Sequence, residues 1–324
     1  MTGWLVRRSI QAAVTFAVAV TFVFILVRLT PGDPLQRLSD DRPISPEETV
    51  QLRARFGLDQ PLTAQLGAFT AGLLRGDLGV SIEHYPERVT SLLARRLPAT
   101  ILLGATVLLL NFTVGIWLGV LQARRRGSAV DRWLTRASLA GYAMPSFWLG
   151  IVLVAFLSIR WRLLPAAQMT DPLLFPDASL FTRVADLLRH LVLPALTLSV
   201  TTIAVTMRHQ RAALLSVLRL DFVRAAAARG LSERRVLWGH GWRLTLVPML
   251  TLLGLWIPLL VSGSVFVESV FNWPGLGSLA AGAIAARDYP VLVGASVLVI
   301  ATVIASGALI DLSYRLVDPR VRAT

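Results

Sequence analysis

The chain has 324 residues, of which 55% are hydrophobic, and it carries a formal net charge of +13. Together with a mean hydropathy of +0.64, this composition excludes an ordinary water-soluble domain. Cysteine is absent, which excludes disulfides and thiolate metal sites, and lysine is absent, which excludes a Walker A nucleotide site. If ATP drives this protein, a different chain must therefore bind it.

Apolar stretches of membrane-spanning length recur six times. The first, Ile10–Val27, follows Arg7 and Arg8, and because no small-residue cleavage site comes after it, we expect a retained span rather than a signal peptide. The others are Ile101–Leu121, Ala137–Ile159, Leu191–Met207, Leu246–Val267 and Val291–Ile310. Each has about the 17–25 residues that a helix needs to cross a hydrocarbon core. The sequence predicts an all-α polytopic membrane protein with six transmembrane helices, the fourth continuing through Gln210–Leu218.

Arginine is distributed unequally between the two sides that six spans define. The termini together with segments 122–136 and 208–245 hold 18 arginines and 5 acidic residues, whereas the other connecting segments hold 14 of each. The positive-inside rule makes the first set cytoplasmic, so we expect both termini in the cytoplasm. Attraction to anionic lipid headgroups explains this pattern, and the pattern disfavours nucleic-acid binding.

The segment 29–97 is the largest connection outside the predicted spans, and its pattern indicates a small external helical lobe. A capping box runs from Ser45 to Glu48 with proline at the first helical position, and Gly57 can end that helix. Two further short helices are predicted at Leu62–Leu74 and Pro86–Arg96.

The connection between the fourth and fifth spans contains a short alanine-rich helix. Asp221 can cap its start, Gly230 can take the left-handed conformation that ends it, and Ser232 can start a second helix. Two turns of helix are too few to be stable in water, so the helix must lie against another surface. Its alanines allow that surface to come close, and Ala226 is expected on the docking side. The alternative is a solvated basic loop that only orients the protein.

This stretch resembles the cytoplasmic loop with the EAA-type motif in ABC importer permeases, most closely the dipeptide, oligopeptide and nickel branch. The matching residues are Asp221, Val223, Arg224, Ala226, Ala228, Gly230, Leu231 and Ser232. Arg224 stands where the wider superfamily has a glutamate, so no glutamate-specific role carries over. The resemblance implies that this segment, with Ala225, forms a coupling helix that sits in a cleft of an ATPase subunit.

Further motifs extend the resemblance from about residue 4 to residue 322. They are Pro31–Pro34, Phe56–Leu62, Gly76–Ser81, Met144–Trp148, Trp161–Pro165 and Asp311–Arg320. Turn chemistry explains any one of the first three, since glycine, aspartate and proline populate many loops. The presence of all three motifs, in this order and at the spacing found in the family, favours the resemblance over turn chemistry alone.

The resemblance implies a permease subunit of an ATP-driven importer for di- or oligopeptides or a related small solute, in the inner membrane of a bacterium. The implied partners are a second similar permease, two cytoplasmic ABC ATPase subunits or domains, an external solute-binding protein and membrane lipid. The chain itself is expected to be no enzyme and to bind no cofactor, because ATP and Mg belong to the ATPases. An independent secondary transporter or channel is the alternative, and a membrane-tethered DNA-binding regulator is a remote one.

The expected organisation follows the spans. It comprises 1–28 with the first span, 29–97 as the external lobe, 98–318 as the permease core with the coupling loop 208–245, and 319–324 as a cytoplasmic tail.

The sequence shows no pattern typical of a catalytic or metal site. Its four histidines are scattered without ligand spacing. Glu268 and Asp311 lie at the ends of spans rather than at mid-bilayer, where an ion-coupled transporter keeps a carboxylate. Weakly polar groups are then the candidates for a substrate path: Asn111, Thr113, Ser146, Ser199, Thr201, Thr202, Ser262 and Ser264. Such groups also tie membrane helices together, and the sequence leaves both roles open.

Single cysteines introduced into this cysteine-free chain should report its topology. With an impermeant thiol reagent, we expect labelling from outside at Asp40→Cys and Asp177→Cys, and from inside only at Ser128→Cys and Ser232→Cys. The expectation rests on the arginine imbalance. External labelling at position 232 would reverse the orientation and remove the docking interpretation.

Overall fold

The computed structural model describes residues 2–35, 45–173, 178–232, 235 and 242–317. Within these ranges the chain forms helices and turns and no β-strand, which confirms the predicted all-α class. The labelling positions Asp40 and Asp177 lie outside the described residues, as does the tail from residue 318 onwards.

The helices of the described ranges are numbered here in chain order. They are α1 (Thr2–Arg28), α2 (Pro46–Arg55), α3 (Leu62–Leu74), α4 (Val89–Leu110), α5 (Ile116–Arg124), α6 (Ala129–Ala143), α7 (Ser146–Leu153), α8 (Leu180–Val217), α9 (Asp221–Ala228), α10 (Trp242–Gly263), α11 (Val265–Val270), α12 (Leu276–Ala286) and α13 (Tyr289–Val317). A π-helical turn, Asn111–Gly115, joins α4 to α5, and a second π-helical segment, Val154–Arg160, follows α7.

Five helical stretches in the described ranges are long and apolar enough to cross a membrane. They are Val6–Arg28, Val89–Arg124, Leu180–Val217, Leu244–Val261 and Tyr289–Tyr314. Helix α6 and the stretch Ser146–Arg160, which comprises α7 and the π-helical segment after it, form a sixth span if the two are counted as one. The fold therefore agrees with the predicted polytopic membrane protein. The helix of the fourth predicted span runs from Leu180 to Val217 and therefore extends beyond the apolar run Leu191–Met207 at both ends.

The third predicted span, Ala137–Ile159, is broken near its start. The two parts of this span are bent by 100° at the connection through Met144 and Pro145. Met144 is extended, with ψ of 126°, as proline disfavours a helical conformation in the residue before it. Pro145 then stands immediately before the first residue of α7.

The chain divides into two compact units, the first formed by residues 1–100 and 274–304 and the second by 101–273 and 305–324. In the first unit the last turns of α1 pack against the first turns of α13. The buried residues of this cluster are Val20, Phe24, Val27, Tyr289, Val293 and Val297. Helix α3 joins it through Phe69, whose ring stacks on Phe24 with a centroid separation of 5.1 Å.

The predicted start and end of α2 are confirmed. The Ser45 hydroxyl accepts a hydrogen bond from the Glu48 amide at 3.1 Å, and proline occupies the first helical position. Gly57 has φ of +60°, the left-handed conformation that ends many helices. Helix α2 is fixed to the rest of the first unit by Leu52, which packs in a buried cluster with Leu35 and Ile82.

The separate helix predicted at Pro86–Arg96 is wrong. Helix α4 begins at Val89 and continues to Leu110, through Pro98 and into the second span. Of the charged residues in that segment, Arg95 and Arg96 lie in the second turn of α4, and Arg95 pairs with Glu87, which precedes the helix. Pro98 interrupts the helical hydrogen bonds without ending the helix, which membrane helices tolerate.

Helix α8 is the central element of the second unit. It lies against α5, α6, α7, α10 and the π-helical turn. In its apolar stretch 61% of the residues are buried, against 11% in α1, so α8 is largely covered by other helices of this chain. Its contact with α5 is very close at Gly119, where a Cβ atom would lie 2.7 Å from the Met207 carbonyl oxygen and 2.7 Å from the Gln210 Cβ.

Replacing Gly119 by alanine should therefore destabilise the protein. The added methyl meets a backbone oxygen that cannot rotate away, so we expect a loss of about 1–3 kcal/mol in the free energy of unfolding. Thermal unfolding of the purified chain in detergent measures it. Gly104→Ala is the matched control, because the nearest atom to its new Cβ is Leu260 Cβ at 3.7 Å. Equal melting temperatures for the two variants would contradict the close contact.

Candidate functional site

The alanine-rich stretch forms the helix that the sequence predicted. Helix α9 runs from Asp221 to Ala228 and follows the end of α8 after three residues. Gly230 has φ of +80°, which confirms the predicted left-handed residue after the helix. A Cβ at Gly230 would meet no atom within 4 Å, so the requirement for glycine there is conformational rather than steric.

Helix α9 has one face buried in its own chain. Val223 is 2% exposed and Ala226 is 7% exposed, and both pack with Val217 at the end of α8. Leu218 and Leu231 complete this cluster. The expectation that Ala226 lies on the docking side is therefore wrong. The spacing of three residues between positions 223 and 226 places both on the same side of a helix, a side that the run of alanines does not reveal.

The other face of α9 is open. Phe222 is 49% exposed, and Ala225 and Ala228 are exposed as well. Asp221 and Ser232 are also exposed. The side chain of Arg224 and most of the second helix predicted from Ser232 lie outside what the structure describes. The result is a short helix that is anchored on one side and presents an aromatic ring beside small side chains on the other.

A buried ion pair holds α8 at Arg211, ten residues before the start of α9. From α8, Arg211 donates from Nε to Asp131 Oδ1 at 3.0 Å and from Nη2 to Asp131 Oδ2 at 2.9 Å. Asp131 belongs to α6, is only 5% exposed, and also accepts from the Gly127 amide at 2.9 Å. Bidentate pairs of this kind combine charge with a fixed geometry. The pair connects α6 and the turn before it to the end of α8 that leads into α9.

Gln122 of α5 reinforces the same connection. Its side-chain nitrogen donates to the Asp131 carbonyl at 3.2 Å and to the Thr135 hydroxyl at 2.8 Å. Sequence reasoning missed this cluster because Asp131 counted only toward the charge balance. The available signal was its position as the one acidic residue in the arginine-rich segment 122–136.

Among the candidate path residues, Asn111 connects helices. It is fully buried in the π-helical turn, and in the amide orientation that satisfies both its atoms the nitrogen donates to Thr206 Oγ1 at 2.8 Å and to the Thr202 carbonyl at 2.9 Å. Its oxygen accepts from Trp256 Nε1 at 3.3 Å. Asn111 therefore joins the second span to α8 and α10 and brings together two of the predicted residues, Asn111 and Thr202.

The remaining candidates are dispersed. Ser199 is buried with a hydroxyl that has no hydrogen-bond partner, whereas the buried Ser264 donates to Glu268 Oε1 at 2.7 Å. Ser146 and Thr201 are half-buried, and Thr113 is exposed. The side chain of Ser262 is not among those described. These positions do not form one continuous polar lining in the described residues, and their role in a path stays a prediction.

A cluster of possible metal ligands occurs in the first unit. Each of Glu83, His84 and Asp288 offers one possible ligand atom, and these three atoms lie within 4.8 Å of one another. The Asp288 carboxylate, however, already accepts hydrogen bonds from the Ser81 hydroxyl and from the amides of Glu83 and Val291. Since Asp288 stands directly before α13, its bond with the Val291 amide is a helix-cap bond, and the three bonds together account for this aspartate without a metal.

The family of the chain follows from its similarity to known proteins. Residues 115–323 match the family described as binding-protein-dependent transport system inner membrane component, and residues 1–104 match the N-terminal part described for the same systems. The chain belongs to this family. Its members are transport permeases, and with the apolar helices described above this chain is a multi-pass inner-membrane permease subunit.

Relatives in this family match the chain along almost its whole length. The dipeptide transport system permease protein DppB of Escherichia coli (strain K12) is 35% identical, with 99% of each chain covered. The di/tripeptide transport system permease protein DppB of Pseudomonas aeruginosa is 36% identical, again with 99% of each covered. The oligopeptide transport system permease protein AppB of Bacillus subtilis is 34% identical over 99% of each chain.

The ion pair between α6 and α8 should be measurable as a coupling energy. Asp131→Asn leaves the Arg211 guanidinium without its carboxylate, and we expect the free energy of unfolding to fall by about 1–3 kcal/mol. The double variant with Arg211→Gln should cost less than the sum of the two single changes, by about 1–2 kcal/mol. Denaturant unfolding in detergent measures all three. Arg136→Gln, an exposed charge on the same helix, is the control, and strict additivity would show that the pair contributes nothing.

Proposed function

We propose that this chain is the permease subunit of an ATP-driven ABC importer whose cargo is di- or oligopeptides. Relatives that cover 99% of its length bear names for dipeptide, di/tripeptide and oligopeptide transport, which supports this cargo class. The alternative of an independent secondary transporter or channel is opposed by the family, whose description includes a binding protein. The lack of lysine supports an ATP site on another chain.

The proposal includes the partners and orientation expected from the sequence. A second similar permease completes the pathway, two cytoplasmic ABC ATPases supply the energy with ATP and Mg, and an external binding protein delivers the peptide. The termini and helix α9 face the cytoplasm, as the excess of arginine on those segments supports.

The observation that carries the proposal is the two-sided packing of α9. Its anchored face, Val223 and Ala226, holds it to the end of α8, while Phe222, Ala225 and Ala228 remain open to a partner. Small side chains around a large aromatic one allow a second protein to approach the helix closely while the ring fills a pocket in that protein. We assign Phe222 as the central contact with the ATPase and Ala225 and Ala228 as its surroundings.

Movement of α9 would be transmitted by rigid contacts along α8. The cluster around Val217 connects α9 to α8, and the Arg211–Asp131 pair connects α8 to α6. Further along, Asn111 connects α8 to the second span and to α10. ATP-driven closure of the ATPases would thereby move several spans together between inward-open and outward-open states. Buried contacts of this kind have discrete arrangements rather than continuous ones, as a switch requires.

The peptide path itself remains assigned to the weakly polar residues. Asn111, Ser146, Ser199, Thr202, Ser262 and Ser264 are its candidates. A path without strong charges suits peptides whose side chains vary, because no single side chain is favoured. Selectivity then belongs to the external binding protein.

Variants of α9 in the reconstituted complex test the proposal. Ala225→Glu adds a charge and bulk to the open face, so we expect the isolated chain to fold normally and ATP-driven peptide uptake to fall about tenfold or more. Gly230→Val forces a β-branched residue into the left-handed region, at a cost of about 1–2 kcal/mol, and should misdirect the end of the helix. Uptake into proteoliposomes and ATP hydrolysis are measured together, and we expect hydrolysis without transport or poor assembly with the ATPases.

Three further variants separate docking from general damage. Ala225→Ser keeps the side chain small and should transport normally, and Arg7→Ala removes a distant, exposed arginine. Ala226→Glu places a charge in the buried cluster and should destabilise the chain even without the ATPases. If Ala225→Glu and Gly230→Val assembled and transported like the wild type, α9 would be only a basic loop. Uptake by the chain without ATPases would establish the secondary transporter instead.

A further inference from the structure

The first unit contains a pocket with aromatic walls, and none of its lining residues belongs to α9 or to the candidate path residues. Its volume is about 460 Å³, and it is lined by the end of α1, helices α2 and α3, the turn after α3 and the start of α13. The rings that line it belong to Phe24, Phe56, Phe69, Tyr85 and Tyr289. A smaller, polar cavity shares Arg28, Gln65 and Tyr289 with it.

Two arginines, Arg28 and Arg55, line this pocket together with the acidic residue Asp77. Arg55 lies over the Tyr85 ring at 5.2 Å, and Arg28 is the arginine at the end of the first span. The Arg28 guanidinium carbon lies 5.6 Å from the centre of the Phe24 ring and 5.5 Å from that of Tyr289, so two aromatic faces hold it in place. Its Nε is buried and has no hydrogen-bond partner. Among the described residues no carboxylate pairs with Arg28. A half-buried guanidinium with an unused donor is unfavourable by itself and is well suited to bind an anion.

Gln65 adds an acceptor to the same pocket. Its side-chain nitrogen donates to the Gln60 carbonyl at 2.8 Å and to the Leu58 carbonyl at 3.4 Å, which fixes the orientation of the amide. The Oε1 atom is left buried without a hydrogen-bond partner. The pocket thus offers one donor for an anionic oxygen and one acceptor for a hydroxyl, beside apolar walls.

The pocket lies at the depth of lipid headgroups. Arg28 is the last residue of the first span, and Tyr289 is the first residue of the last span. Helix α3 beside them is apolar and uncharged, and none of its residues is fully buried. The apolar side chains of α3 that stay exposed, such as Leu62 and Leu74, form a surface that lipid acyl chains can cover. The molecule that brings a phosphate, hydroxyls and acyl chains to this depth is a phospholipid.

We propose that this pocket binds an anionic phospholipid whose headgroup carries free hydroxyls, as a phosphatidylglycerol does. The phosphate binds the Arg28 guanidinium, a headgroup hydroxyl donates to Gln65 Oε1, and the acyl chains lie along α3. The lipid connects α1, α3 and α13 at one end of their spans. This site does not depend on the peptide cargo or on the ATPases.

Lipid titration of the full-length chain tests the proposal. Native mass spectrometry in detergent counts bound lipids as dioleoyl phosphatidylglycerol or dioleoyl phosphatidylcholine is added. We expect one phosphatidylglycerol to be retained selectively, with affinity reduced about tenfold or more in Arg28→Gln, since a charged hydrogen bond is lost. Arg75→Gln removes an exposed arginine from the end of α3, outside the pocket, and should leave binding unchanged.

A second variant separates loss of the pocket from unfolding of the protein. Ala68 lines the cavity, so Ala68→Leu should fill it and lower phosphatidylglycerol binding while every charge stays in place. Melting temperatures without added lipid show whether each variant is folded. Inorganic phosphate at millimolar concentration should not compete, because it lacks the acyl chains.

Three results would overturn the proposal. Equal retention of the two lipids, or equal losses in Arg28→Gln and Arg75→Gln, would reduce the pocket to a nonspecific charged surface. Displacement of the lipid by a short peptide, dependent on Arg28, would assign the pocket to a peptide carboxylate instead. Because neither ATP nor the partner chains are used, failure here leaves the proposed importer function untouched, and failure of that function leaves this site untouched.

Discussion

The second unit depends on how closely other helices approach α8. Within a bilayer the hydrophobic effect does not drive helices together, so their association depends on close packing and on hydrogen bonds. Three contacts follow one another along α8. Asn111 binds at Thr202 and Thr206, Gly119 fits against Met207, and Asp131 binds Arg211. After them come the apolar contacts of α9, so the candidate docking helix is connected to the same series.

Much of the fold could be predicted because the signals are local. Spans follow from the length of apolar runs, the start of α2 follows from the capping box at Ser45, and the end of α9 follows from Gly230. The continuation of α4 through Pro98 could not be predicted, because proline only weakens a helix and the surrounding structure decides whether it ends. The size of the bend at Pro145 likewise depends on neighbours that a local pattern does not contain.

The candidate site was predictable in position but not in orientation. A run of four alanines has no amphipathic pattern, so the burial of Ala226 and the exposure of Ala225 cannot be read from the residues themselves. The pairing of residues from distant segments could not be predicted either. Asp131 forms an ion pair with Arg211, eighty positions further along the chain. Asn111 accepts a hydrogen bond from Trp256 of another span. Contacts between distant segments are set by packing, and a single sequence does not specify them.

The π-helical turn at Asn111–Gly115 changes which side of the second span faces inward. A π turn absorbs one extra residue, and each residue of an α-helix advances about 100°. In an unbroken α-helix, Asn111 and Gly119 would point about 80° apart. With one residue absorbed, the eight steps between them count as seven, and the two positions fall within about 20° of one another. The shift in helical phase is what allows the same helix to present its amide and, two turns later, its glycine to α8.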